Sequence, residues 1–117
     1  MKRLYLALLF MSLAYLAIGQ NYENAKNLML LMQNQKAKEE VDKGMSNTKY
    51  ASKPEAWILK ATIYSALAID QKMKGTPEAV KLLDEAETAW NKYRQMDPAM
   101  GLLTDLGYQN APINIYS

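Results

Sequence analysis

Apolar residues recur along the first third of this chain at the spacing of amphipathic helices. One stripe repeats at intervals of three, four and seven positions, which places its members on a single helical face. Its members are Tyr22, Ala25, Leu28, Met29 and Met32. The polar residues 33–35 predict a break, after which a second helix should bury Ala37, Val41 and Met45. Residues 46–51 are expected to form a polar connection.

Two longer helices are predicted next, each with its own start and stop signals. Ser52 is expected to cap the third helix, which should continue to about Lys72. Gly75 should end that helix, and Thr76-Pro77 should begin the fourth, because proline in a first turn removes no internal hydrogen bond. The fourth helix should stop before Pro98 and bury six residues. These six are Ala79, Leu82, Leu83, Ala86, Trp90 and Tyr93.

The pattern weakens after the fourth helix. Residues 100–106 can form one or two turns, ended by Gly107. Asn110-Ala111-Pro112 is typical of another helix start, but so few residues follow it that this helix is expected to have no room to form, which suggests a truncated protein. The predicted fold class is therefore all-α, built from antiparallel helix pairs with short links.

The beginning of the chain has the layout of a secretory signal peptide. A basic start precedes the uncharged apolar residues 4–18, and Ala17-Ile18-Gly19 is a small-x-small site that predicts cleavage before Gln20. The alternative is an uncleaved anchor, although this apolar run falls short of the roughly 20 residues needed to cross a bilayer. We expect a signal peptide at 1–19, a helical domain at 20–117 and no stable membrane insertion after cleavage. The mature protein would be periplasmic or extracellular.

Charge and cysteine content narrow the possible partners of the mature region. The net charge of +2 is carried by Lys2 and Arg3, so residues 20–117 have 12 basic and 12 acidic side chains. Such a neutral region does not indicate a nucleic acid or an anionic membrane as partner. Because the chain has no cysteine, lipid attachment at the cleavage site and disulfide bonds are excluded. The fold has to be held together by burial alone.

Reactive side chains are scarce. The chain has neither histidine nor cysteine, which removes the commonest general base, the commonest metal ligand and the thiol nucleophile. Its five glycines are scattered and form no phosphate-binding loop. Acidic clusters at 39–42 and 84–87 lie on polar helix faces and lack the turn of a calcium loop. We expect no catalytic residue, no metal and no cofactor.

Residues 83–98, LDEAETAWNKYRQMDP, resemble the second helix of a tetratricopeptide repeat (TPR). That family places a small residue where its paired helices approach, a large aromatic residue after it and an Asp-Pro at the end. Ala86, Trp90 and Pro98 match these positions. The resemblance implies helix pairs stacked as an α-solenoid, here with about two repeats and the start of a third.

The first helix of the same repeat is matched by Trp57, Ala61 and Tyr64. Residues 21–53 are similar to a more degenerate copy of the repeat, offset by 36 positions. Compared with the ordinary repeat of about 34 residues, about thirteen extra residues between Tyr64 and Leu83 must lengthen both helices. The chain is also similar to exported TPR proteins of Bacteroidetes-type bacteria, which often place Gln directly after the cleavage site.

The resemblance implies a non-catalytic scaffold that binds a peptide or protein partner. Partners of such scaffolds lie on the concave face, which is formed by the first helix of each pair. The groove positions carried over from the family are Tyr22, Lys26 and Met29 in the first repeat, and Ile58, Thr62 and Ser65 in the second. They do not reproduce the Lys and Asn set with which some family members clamp a peptide carboxylate, so that activity is not implied.

A second hypothesis starts from the helix start at Pro112. The chain would then be the helical N-terminal part of a larger envelope enzyme or glycan-binding protein, whose active region lies beyond residue 117. A fragment with no independent role is the third possibility. The genomic sequence past the last codon would separate these alternatives.

The number of repeats leads to a prediction about stability. Repeats bury their faces against neighbours and about three are normally needed, so two pairs and a partial third should be marginally stable or self-associate through the exposed face of the last repeat. We expect thermal unfolding, followed by circular dichroism, within the mesophile range of about 45–65 °C or below it. A sharp, concentration-independent transition well above that range would contradict this expectation.

Overall fold

The regular structure of this protein consists of helices. The computed structural model describes residues 22–105 and 107–117, so the predicted signal peptide at 1–19 lies outside the described residues. Within those ranges every regular element is helical, which confirms the predicted all-α class. The elements are α1 (residues 22–30), α2 (Asn34–Met45), α3 (Thr48–Ala51), α4 (Pro54–Ala68), α5 (Pro77–Met96), a 3-10 turn (Gly101–Thr104) and α6 (Asn110–Tyr116).

Helix α4 lies at the centre of the described structure. It packs against α2, α3, α5 and α6, and buried residues occupy all of its sides. Ile58, Leu59 and Ile63 have no exposed surface. A helix that is apolar all round is stable in water only when neighbours cover every face. None of the described helices has the length and apolar character needed to cross a membrane.

Among helices α2 to α6, the most extensive contact joins α4 to α5. Ala61 of α4 and Ala86 of α5 are both fully buried, and small residues of this kind allow close approach of paired helices. Trp90 and Tyr93 follow on α5 with their ring centroids 5.8 Å apart. Of the six residues predicted to be buried in this helix, only Leu83 is half-buried rather than buried.

The start of α4 differs from its prediction. Ser52 does not cap α4, because its hydroxyl donates to the carbonyl oxygen of Lys49 at 2.6 Å and so closes α3. The cap position of α4 is taken by Lys53, whose backbone is extended, and Pro54 occupies the first turn. The predicted proline-led start is correct, and the predicted cap is wrong.

The turn between α4 and α5 begins earlier than expected. The predicted helix reached Lys72, but the side chain of Asp70 accepts a hydrogen bond from the Lys72 amide at 3.0 Å and stabilises a turn there. Gly75 then adopts a φ of +82°, which suits glycine. Thr76 caps α5 as predicted, since its hydroxyl oxygen accepts a hydrogen bond from the Ala79 amide at 3.1 Å.

Helix α1 ends before Met32, which therefore does not belong to the predicted apolar stripe. Met32 has a φ of +61° and is 83% exposed. The amides of Met32 and Gln33 donate to the carbonyl oxygens of Met29 and Leu28, which is the pattern of a left-handed helix end. Glycine is the usual residue at this position, and another residue costs about 1–2 kcal/mol there.

The connection predicted at 46–51 is part of the core. Its one-turn helix α3 buries Tyr50, whose ring stacks on that of Tyr22 with centroids 4.3 Å apart. The Tyr22 hydroxyl also donates to the Tyr50 carbonyl oxygen at 2.5 Å. The sequence did not predict this contact, because the segment is mostly polar and only one of its residues is buried.

Helix α6 corrects the expectation that the last helix has no room to form. It runs over Asn110–Tyr116 and packs against α4 and α5, with Ala111 fully buried. An isolated helix of this length would be unstable in water. Tertiary packing therefore holds α6 in place.

Gly44 provides a test of the contact between α2 and α3. A Cβ atom at Gly44 would lie 2.5 Å from two ring atoms of Tyr50, although Gly→Ala inside an open helix gains about 1 kcal/mol. We expect Gly44→Ala to lower the free energy of unfolding by about 1–3 kcal/mol, because the stacked ring has to move. Urea denaturation measures this change.

Gly101→Ala is the matched control. A Cβ atom there would meet no other atom within 4 Å, so the free energy of unfolding should be unchanged or slightly raised. Equal effects of the two substitutions would show that the Tyr50 ring does not restrict Gly44.

Candidate functional site

The six predicted groove residues lie on α1 and α4. Five of them are buried and Lys26 is half-buried. Met29 of α1 and Thr62 of α4 line the same open depression of about 280 Å³, together with Gly107 and Asn114 from the end of the chain. The structure thus brings residues of both predicted repeats to one face, which we call the α1–α4 face.

The C-terminal segment, which among the described residues comprises Asp105 and residues 107–117, contacts this face. Gly107 lies beside Met29 and Leu30, since a Cβ atom built on it would be 3.4 Å from each side chain. Further along the segment, the Asn114 amide nitrogen is 3.5 Å from the Ser65 hydroxyl oxygen. Positions assigned to a partner are therefore buried at least in part by the protein's own chain.

Lys26 pairs with this segment through two contacts. Its ammonium group forms an ion pair with the Asp105 carboxylate, and it lies 4.9 Å from the centroid of the Tyr108 ring. The hydrogen bond from Lys26 holds the pKa of Asp105 below its ordinary value, and the Gly107 amide, 3.0 Å from the other carboxylate oxygen, acts in the same direction. Asp105 therefore stays ionised in this contact.

Tyr108 forms the second link between the C-terminal segment and α4. Its side chain is fully buried, and its hydroxyl donates to the Glu55 carboxylate at 2.8 Å. Burial, followed by the hydrogen bond to Glu55, raises the pKa of Tyr108 far above the ordinary value for tyrosine. Tyr108 thus remains a neutral donor, and the Glu55 carboxylate in the first turn of α4 accepts its hydrogen bond.

The hydroxyl groups on this face bond to the backbone of their own helix. Thr62 donates to the Ile58 carbonyl oxygen at 2.7 Å, and Ser65 donates to the Thr62 carbonyl oxygen at 3.1 Å. Neither contacts a base that could activate it. Within residues 22–105 and 107–117, no three acidic side chains converge to hold a metal ion. The arrangement supports binding by shape, charge and hydrogen bonds.

A polar cluster lies elsewhere, on the side of α4 that faces α2. The Tyr64 hydroxyl bonds to Asp42, and Lys38 bonds to the other oxygen of this carboxylate at 2.8 Å. The ammonium groups of Lys38 and Lys60 lie 5.2 and 5.0 Å from the Tyr64 ring centroid. Burial raises the pKa of Tyr64. These contacts join the two helices.

Sequence reasoning missed Glu55, Asp105 and Tyr108 as residues of the α1–α4 face. Glu55 has the pattern of an ordinary acidic residue in a first helical turn. Asp105 and Tyr108 lie between helices, where no periodicity marks a buried side chain. The only signal was an aromatic residue two positions before a predicted helix start.

Comparisons of this chain with protein-family models, with curated proteins and with solved structures found no match. The function of the α1–α4 face has to be argued from its own residues and contacts.

The ion pair between Lys26 and Asp105 predicts a pH dependence of stability. The pKa of Asp105 is lower in the folded chain than its value of about 4 in an unfolded chain. Its contribution is therefore present above about pH 4 and lost as the pH falls through the folded pKa. We expect Asp105→Asn to lower the free energy of unfolding by up to about 1 kcal/mol at pH 6, because this pair is partly exposed.

Urea denaturation of both proteins at pH 6 and pH 3 measures this difference, which should shrink at the lower pH. Asp84→Asn, at an exposed position of α5, is the control and should differ little from the wild type at either pH. A difference for Asp105→Asn that is the same at both pH values would contradict the assigned ion pair.

Proposed function

We propose that this chain is a TPR-type helical scaffold, exported to the cell envelope, that binds a peptide or protein partner on its α1–α4 face. The observation that carries the proposal is the order of helix contacts around α4. Helix α2 packs on α4, α4 pairs with α5, and α6 packs on both α4 and α5. Stacked helix pairs produce this order, with α6 in the place of the first helix of a third pair.

The residues of the helix contacts support the same proposal. Ala61 and Ala86, which match the small positions of the repeat, have no exposed surface, and Trp90 is buried beside them on α5. Large residues alternate with small ones where two helices approach closely. These three residues of the repeat motif are therefore buried on the two paired helices.

The groups at the edge of the α1–α4 face support partner binding over catalysis. Lys26 and Glu55 provide one cation and one carboxylate, and Met29 and Leu30 line the apolar part of the depression on this face. Polar groups at an edge give orientation and specificity, and buried apolar groups give affinity. A peptide with complementary charge and an aromatic side chain would satisfy both.

The outer side of α6 supports the proposed self-association. Ile113 and Tyr116 are each 60% exposed, and this seven-residue helix has few other apolar groups. In a stack of repeats this side would contact a further helix. A second copy of the chain could cover it in the same way.

Partner capture from envelope extracts tests the scaffold proposal. The tagged full-length protein should recover a stoichiometric partner. In an Asp105→Ala background, where Lys26 no longer pairs with a carboxylate of its own chain, Lys26→Glu should reduce recovery at least fivefold, which corresponds to about 1 kcal/mol. Lys26 is preferred over the buried Tyr22 or Ile58, because truncating a buried residue would unfold part of the chain. Quantitative mass spectrometry of the captured material gives the ratio.

Lys43→Glu is the matched control, since Lys43 is exposed on α2 and has no contact with the C-terminal segment among the described residues. It should leave recovery unchanged. The mass of the recovered chain also reports export, because cleavage before Gln20 removes residues 1–19. Equal loss with both lysine variants would show that capture does not involve the α1–α4 face.

A further inference from the structure

The C-terminal segment makes contacts on the α1–α4 face that are typical of a bound peptide. Asp105 pairs with Lys26 at one edge, Tyr108 is fully buried with its hydroxyl on Glu55, and Ala111 is fully buried one helical turn further on. These three residues are spaced by three positions each. The segment therefore carries a short pattern of an acidic residue and an aromatic residue that contact the face, followed by a small residue that is buried where α6 packs.

The chemistry of these contacts selects for that pattern. Lys26 contacts both a carboxylate and an aromatic ring, so an acidic residue and an aromatic residue three positions later satisfy it together. Glu55 accepts a hydrogen bond from the buried hydroxyl, which distinguishes tyrosine from phenylalanine. A buried donor or acceptor without its partner is unfavourable. Lys26 and Glu55 of the face thus select a peptide that carries an acidic group and an aromatic ring with a hydroxyl.

Two features distinguish the segment from the rest of the core. The residues that join it to α5 include Met100, whose φ of +54° is left-handed and unfavourable for a residue other than glycine. Helix α6 buries Ala111 but leaves Ile113 and Tyr116 mostly exposed. Release of the segment would expose Tyr108 and Ala111, which are fully buried, so the segment is docked in most molecules.

We infer that the C-terminal segment is a tethered ligand of the α1–α4 face, and that the external partner of this face is a peptide segment with the same Asp-x-x-Tyr-x-x-Ala pattern. This inference rests on the proposed scaffold function and names its partner by chemistry. The external peptide replaces the tethered segment. Its apparent affinity is therefore its intrinsic affinity multiplied by the fraction of molecules in which the face is free. A tethered competitor acts at an effective concentration of about millimolar.

Fluorescence anisotropy with a labelled synthetic peptide of residues 104–117 tests the inference on the full-length protein. The wild type should bind this peptide weakly, because its own segment occupies the face. Asp105→Ala combined with Tyr108→Ala in the protein weakens its own segment and should increase the affinity for the peptide at least tenfold. If the segment is docked in about 99% of molecules, the increase should approach 100-fold.

A charge exchange tests the contact to Lys26. In the doubly substituted protein, Lys26→Asp should abolish the gain in affinity, and a peptide carrying Asp105→Lys should restore it. A peptide carrying Tyr108→Phe should bind several-fold more weakly than the unmodified peptide, because Glu55 then lacks its donor. A gain in affinity that is insensitive to both the charge exchange and the hydroxyl would overturn the assigned pattern.

The decisive negative result is a doubly substituted protein that keeps its helical content by circular dichroism and binds the peptide no better than the wild type. In that case the segment is a fixed part of the core. If the double substitution unfolds the protein, Tyr108→Phe in the protein decides. Tyr108→Phe keeps the ring beneath Lys26 and should still increase the affinity for the peptide several-fold. No increase in affinity would overturn the inference.

The peptide measurement and partner capture from extracts can fail independently. If the peptide binds and no partner is captured, the segment is a tethered ligand and the proposed external scaffold function is wrong. Lys26-dependent capture of a partner without peptide binding would retain the scaffold function and overturn the inferred pattern.

Discussion

The burial of α4 on all of its faces is the constraint on which the rest of the structure depends. Ile58 and Leu59 lie on different sides of this helix, Ile63 lies one turn beyond Leu59, and none of the three has exposed surface. Full burial of each such side chain is worth about 1.5–3 kcal/mol, and the chain has no cysteine to add a covalent link. The positions of α2, α5 and α6 follow, because each of them covers part of the same apolar helix.

The contacts of the C-terminal segment differ in kind from those between α4 and α5. Between α4 and α5 the buried residues are apolar, with alanine at the closest approach. The segment instead relies on an ion pair, a cation–π contact and a hydrogen bond to a carboxylate. Apolar burial is largely insensitive to the identity of a partner, whereas the charged contacts require particular groups at particular places. The molecule thus combines an apolar core with charged contacts, which include those of the C-terminal segment and the cluster of Lys38, Asp42 and Tyr64.

The parts of the fold that could be predicted from the sequence depend on local signals. The burial of Ala37 and Val41 on α2, most of the α5 stripe and the cap at Thr76 are each determined within a few residues, and they were predicted correctly. The errors at Met32 and Ser52 arose where two local preferences compete and tertiary packing selects one. The missed burial of Tyr50 and the missed formation of α6 depend on contacts that no short window contains.

The candidate face shows the same division between local and distant signals. Its α1 and α4 residues could be placed on helices from periodicity, and the family resemblance assigned them to a groove. What lies over them could not be predicted, because Lys26 and Asp105 are 79 positions apart and Glu55 and Tyr108 are 53 apart. Nothing in the residues near Tyr108 distinguishes a buried hydroxyl donor from an exposed loop tyrosine.

The order of the helices along the chain also determines how this protein can be made. Helix α4 is synthesised before α5, and the buried residues of α5 extend from Ala79 to Tyr93. A nascent chain that ends before Tyr93 therefore contains a helix that is apolar on every side and lacks its largest cover. Such surface promotes aggregation until it is buried. The interval between the synthesis of α4 and that of α5 is thus the stage at which this chain most needs a chaperone or rapid synthesis.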